Sequence, residues 1–165
     1  MQQPHRQQDH GTGMLEAVIV VSIITVAFAA LLSTAAYFLR GGLRAADSVQ
    51  TAFLLEEGVE AVRFLRDNGY ATYITPLVAT TTTLYLERTS TGWRASSSPS
   101  LLLNEYRRTI SLARVYRRNS DDDIVPASSG DPKTIDTHTT RLTVTVGNTE
   151  GSTSLSTYVA DIYEN

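Results

Sequence analysis

The sequence has no cysteine, which excludes disulfides, thiolate metal sites and a cysteine nucleophile. Lysine occurs once, at Lys133, against 13 arginines and 17 acids, and the net charge is −3. That balance excludes the basic footprint that nucleic-acid binding by a whole chain normally requires. Histidine is almost as scarce. His5 and His10 precede the first apolar run, which leaves His138 alone in a Thr-rich stretch. No G-x-S-x-G string and no phosphate-binding glycine loop is present, and one histidine gives no readable Ser-His-Asp set. The expectation is therefore a protein that is not an enzyme. At 165 residues and 18.1 kDa, there is room for one ordinary domain and an appendage.

The appendage is legible as a long uncharged run. Ala17 to Leu39 reads AVIVVSIITVAFAALLSTAAYFL, 23 residues without one charge. As a helix at about 1.5 Å per residue it would span about 34 Å, enough for a bilayer core of about 30 Å. Its hydroxyls, on Ser22, Thr25, Ser33 and Thr34, can bond back to a carbonyl one turn earlier. The run is apolar on all faces, so a membrane-inserted helix is expected rather than one lying on a surface. Ala27-Phe28-Ala29 offers a signal-peptidase-like site, but the segment before it carries Asp9 and Glu16 and lacks the required positive charge. The apolar run also continues ten residues past Ala29. Arg40 and Arg44 follow the run while the segment before it is nearly neutral, so flanking charge does not fix the topology.

Just before the run stands Gly11-Thr12-Gly13-Met14-Leu15-Glu16, a glycine five residues ahead of a glutamate. Together with the apolar helix, this string resembles the N-terminus of type IV pilins and type II secretion pseudopilins. Thr12 stands where the family usually has Phe, and Gly13 where Thr is common. The resemblance implies cleavage after Gly11 by a prepilin peptidase and N-methylation of Thr12. It also implies that Glu16 neutralises the terminal amine of a neighbouring subunit in a filament core. The partners it implies are other pilin or pseudopilin subunits, the peptidase, the inner-membrane assembly machinery and membrane lipid. The implied location is the cytoplasmic membrane, single-pass with the head outside the cytoplasm, and then a cell-surface or periplasmic filament. On this reading residues 1–11 are a leader, 12–40 a transmembrane and filament-core helix, and 41–165 a head domain.

Gly41-Gly42 is expected to interrupt the helix, either as a plain membrane-exit break or as a bending point used during assembly. Helical spacing resumes at about 43–68, with Ala45, Val49, Ala52, Leu55, Val59, Val62 and Leu65 on one stripe, and Asn68-Gly69 supplies the stop. Beyond Gly69 the composition turns to Thr, Ser, Tyr and Val, predicting a β-rich region over 80–163. Thr82–Arg88 and Gly92–Ala95 read as a hairpin. Tyr106–Arg118 reads as a long strand with Arg108, Ile110, Leu112 and Arg114 on one side. Arg141–Val146 and Ser154–Ala160 read as further strands, separated by loops at 96–100, 119–123 and 127–140. Four or five antiparallel strands after a helix give an α+β fold, a long N-terminal helix packed on a small sheet, which is pilin-like under the resemblance.

The one dense acidic cluster is Asn119-Ser120-Asp121-Asp122-Asp123. Asx-rich turns commonly cap their own backbone. If the cluster holds a metal, the ion is Ca²⁺ and the ligands are Asp121, Asp122 and Asp123; some pseudopilins carry such an ion in the head. The arginines at 107, 108, 114, 117 and 118 are expected to decorate a solvated strand face and pair with acids, not to bind DNA. The expected function is a structural pilus or pseudopilus subunit. The alternative is a monomeric signal-anchored protein whose β-rich head binds a ligand.

Overall fold

A computed structural model of the chain describes residues 12–78, 80 and 82–163. Helix α1 covers Thr12–Asp67 without interruption. The expected break at Gly41-Gly42 is absent. Each glycine costs about 1 kcal/mol relative to alanine in a helix, but Leu39, Arg40, Leu43, Arg44, Ala45 and Ala46 around them are among the best helix formers. Nothing lies within 4 Å of where a Cβ would stand at either glycine, so no close packing explains the pair. α1 ends as expected, with Gly69 at φ 138° and its N–H bonded to the Arg66 carbonyl.

Two compact units divide between Asp47 and Ser48. In the first, every described side chain from Gly13 to Ala46 is exposed. Ser22, Thr25, Ser33 and Thr34 each donate to the carbonyl four residues earlier, at 2.7–2.8 Å, as the sequence predicts. This helix is long and apolar enough to cross a membrane by length and composition.

The second unit is α+β. After α1 come the short helix α2 (Tyr70–Tyr73) and a 3₁₀ turn (Thr75–Leu77). Seven strands follow: β1 (Leu84–Thr89), β2 (Gly92–Ser96), β3 (Leu101–Leu102), β4 (Tyr106–Arg118), β5 (Ile124–Val125), β6 (Lys133–Gly147) and β7 (Ser152–Ala160). They form one antiparallel sheet in the order β2-β1-β4-β6-β7, with β3 and β5 adding short pairings to β4. The 127–140 region is not a loop throughout. Lys133–Asp136 pairs with the distal half of β4, because a strand as long as Tyr106–Arg118 leaves backbone groups beyond Arg114 that need partners. The register jumps there, Thr140 facing Arg114 and Asp136 facing Val115, so residues 137–139 bulge out of the ladder.

Alternation along the strands builds the core. Tyr106, Ile110 and Leu112 on β4 and Leu142, Val144 and Val146 on β6 face Leu55, Val59, Val62 and Leu65 of α1. The last four positions of the predicted stripe are buried, whereas Ala45, Val49 and Ala52 are exposed. Helix and sheet approach closely at Gly58, where an added Cβ would stand 2.7 Å from Val144 Cγ1 and 3.0 Å from Arg108 Cδ.

Candidate functional site

Glu16 lies one turn into α1, exposed, and is the sole charged residue between Thr12 and Leu39. Thr12 is the first residue of the helix, and Gly11 lies outside the described residues. Fifteen large apolar side chains between Met14 and Leu39 are exposed around the charge. Covering an aliphatic or aromatic side chain is worth about 1.5–3 kcal/mol, so this surface represents tens of kcal/mol of unrealised burial.

The acidic turn is built around one guanidinium. Arg118 Nη1 donates to Asp121 at 2.7 Å, and its Nε to Asp131 at 3.0 Å; Asp123 stands 3.8 Å away. Asp121 also accepts the Asp123 N–H, and that bond, followed by Arg118, holds its carboxyl below the usual range. Asp122 takes a left-handed φ of 59°. The three aspartates therefore lie on one tight turn, with Asp121 turned toward its own arginine. Among the described residues no group of three or more His, Asp or Glu side chains is gathered as a metal would need.

The arginines separate into three environments. Arg117 and Arg118 pair with acids, Arg117 with Asp136 at 2.6 Å. Arg108 does not decorate a solvated face. It is 2% exposed, under α1, and donates from Nη1 to Glu57 at 2.7 Å and to the Leu54 carbonyl at 3.0 Å. Its guanidinium lies 5.2 Å from the Trp93 ring centre, while Nε and Nη2 have no hydrogen-bond partner. The same-side placement with Ile110 and Leu112 was legible from alternation, but the charge argued for solvent. Arg114 departs from that side because the bulge gives the next inward position to Val115.

A cavity of about 350 Å³ opens at the bulge, lined by Tyr70, Arg114, Asp136 and Thr140 among others. The Tyr70 and Thr140 hydroxyls meet at 2.6 Å, and burial raises the Tyr70 pKa above its ordinary value. At Asp136, burial pushes the carboxyl upward but is outweighed by hydrogen bonds from Arg117, Thr139 and the His138 N–H, so it titrates below the usual range.

No protein-family model, curated protein or solved structure matches this chain.

Proposed function

We propose that the chain is a structural subunit of a type IV pilus or a type II secretion-like pseudopilus. The observation that carries the reading is the asymmetry of α1. From Gly13 to Ala46 it is exposed, with Glu16 alone charged before Arg40, whereas from Leu55 to Leu65 it is built into the core of a β-rich head. Such a helix can hold a folded head while offering an apolar rod to lipid first and to sister helices later. Prepilin peptidase removes 1–11, the Thr12 amine is methylated, and the subunit waits in the cytoplasmic membrane with its head outside the cytoplasm. The assembly machinery then extracts it into a periplasmic or surface filament. An amine and a carboxylate entering a low-dielectric core together offset much of each other's desolvation, which gives Glu16 its job in setting register.

The test is the mass of the mature protein and its presence in sheared filaments. Loss of residues 1–11 with one added methyl, and recovery in the sheared fraction, is expected. An intact N-terminus on a protein confined to the membrane would replace this reading with that of a signal-anchored binding head.

A further inference from the structure

The sheet has a second face, turned away from the core, and its chemistry is unlike the rest of the molecule. Register places Ala113, Arg141 and Tyr158 in one row across β4, β6 and β7, then Ser111, Thr143 and Ser156, then Thr109, Thr145 and Ser154. Neighbouring strands lie about 4.8 Å apart and same-face residues about 7 Å apart along a strand, so six hydroxyls form a flat grid. Thr143 bonds Ser156 at 2.9 Å and Thr145 bonds Ser154 at 2.8 Å. Two hydroxyls sharing one hydrogen bond still present an O–H hydrogen and spare lone pairs outward.

At the end of the grid marked by Arg141 a groove of about 820 Å³ opens, lined by Arg114, Arg141, Tyr116, Tyr158 and Ser111 together with the 124–128 segment. No acid lines it, and neither Arg114 nor Arg141 makes an ion pair among the described residues. Two arginines in a groove that no acid lines have the chemistry to receive an anion.

We propose that this groove and grid bind an acidic glycan, an oligosaccharide bearing uronate carboxylates. Arginine matches a carboxylate in two-pronged fashion, the tyrosine rings offer flat faces to the C–H side of a sugar, and the grid offers both donors and acceptors to sugar hydroxyls. A phosphodiester strand fits less well, because its backbone only accepts hydrogen bonds and its charge density asks for more cations than the groove holds. The site is independent of the filament reading and stands whether the head is carried on a filament or on a membrane anchor.

The experiment is calorimetric titration of the full chain in detergent micelles with a hexameric polymannuronate, a neutral mannose hexamer and a thymidylate hexamer. The uronate is expected to bind at least about tenfold more tightly than either of the other two, the difference one charge-assisted contact can make. Arg141→Ala and Tyr158→Ala are each expected to weaken uronate binding about tenfold without moving the thermal midpoint, since both side chains are exposed. Arg63→Ala, on the far side of α1, should leave binding unchanged. Absence of uronate binding, equal or tighter binding of thymidylate, or unaltered binding by both groove variants would each overturn the proposal.

Discussion

Arg108 is a cation that the fold keeps dry with only part of its hydrogen-bonding capacity used. Burying a guanidinium costs several kcal/mol, and two of its nitrogens recover nothing from the protein. Glu57 and the Trp93 face offset part of that cost. Replacing the buried cation with a hydrocarbon of similar length should therefore be cheap, because the part-exposed Glu57 it leaves can be hydrated, while removing only the anion leaves a buried charge and should not be. Arg108→Met is expected to leave stability within about 1 kcal/mol of the parent, whereas Glu57→Ala should lower it by about 1–3 kcal/mol. Urea titration followed by Trp93 fluorescence reads both, and a larger loss for Arg108→Met would show that the arginine is a net stabiliser. Asp136 poses the converse case. Its folded-state pKa is depressed, so its contribution is complete above the unfolded value of about 3.9 and is lost as pH falls through the folded value. Thermal midpoints should accordingly drop on acidification below about pH 4, and Asp136→Asn should flatten part of that decline. Parallel acid profiles for the variant and the parent would refute the assignment.

Among the elements, α1 carries four glycines, and three of them, Gly41, Gly42 and Gly58, share the helix interior but differ in their surroundings. Gly41 and Gly42 have open space where a Cβ would be, so alanine there gains helix propensity at no steric cost. Gly58 has Val144, fully buried and β-branched, at 2.7 Å, and that side chain has no room to give way. Gly41→Ala and Gly42→Ala should each stabilise the helix by about 0.5–1 kcal/mol, seen as slower amide hydrogen exchange around them. Gly58→Ala should destabilise the head by about 1–3 kcal/mol despite the same gain in propensity. Val62→Ala, removing methyls from a site with no solvent exposure, should cost about 1–3 kcal/mol, and the exposed Val49→Ala should cost almost nothing. Equal losses at 49 and 62 would mean that the buried stripe of α1 is placed wrongly. A melting role for the glycine pair would appear as impaired filament assembly in Gly41→Ala/Gly42→Ala despite a more stable helix.

For the molecule as a whole, the consequential charge is Glu16, the sole charged residue between Thr12 and Leu39 in an apolar helical segment whose described side chains are exposed. Head stability should not depend on it, and neither should insertion of the rod in lipid. Co-expressing tagged Glu16→Gln with the parent and shearing the filaments separates these requirements from assembly. On the filament reading, the tagged variant should stay abundant in the membrane and fall by about tenfold or more in the sheared fraction, since the Thr12 amine freed by processing would otherwise be buried unpaired. Equal shares in both fractions would reduce Glu16 to a boundary residue and remove the main support for the filament reading.

The apolar run, its back-bonded hydroxyls, the stop at Asn68-Gly69, the hairpin and the bounds of Tyr106–Arg118 were all determined locally, by periodicity and backbone-capping chemistry that act within a few residues. So was the inward parity of Arg108. Other features waited on partners distant in the chain. Lys133–Asp136 is polar and reads as loop until the far half of β4 presents unpaired backbone groups to it. Arg114 leaves the core side because a bulge on another strand shifts the register. The Arg108–Glu57 contact joins positions 51 residues apart, and the row Ala113-Arg141-Tyr158 draws on three strands. Side-chain period is a local property, whereas strand register and the solvation of a charge are settled by what tertiary packing places opposite it.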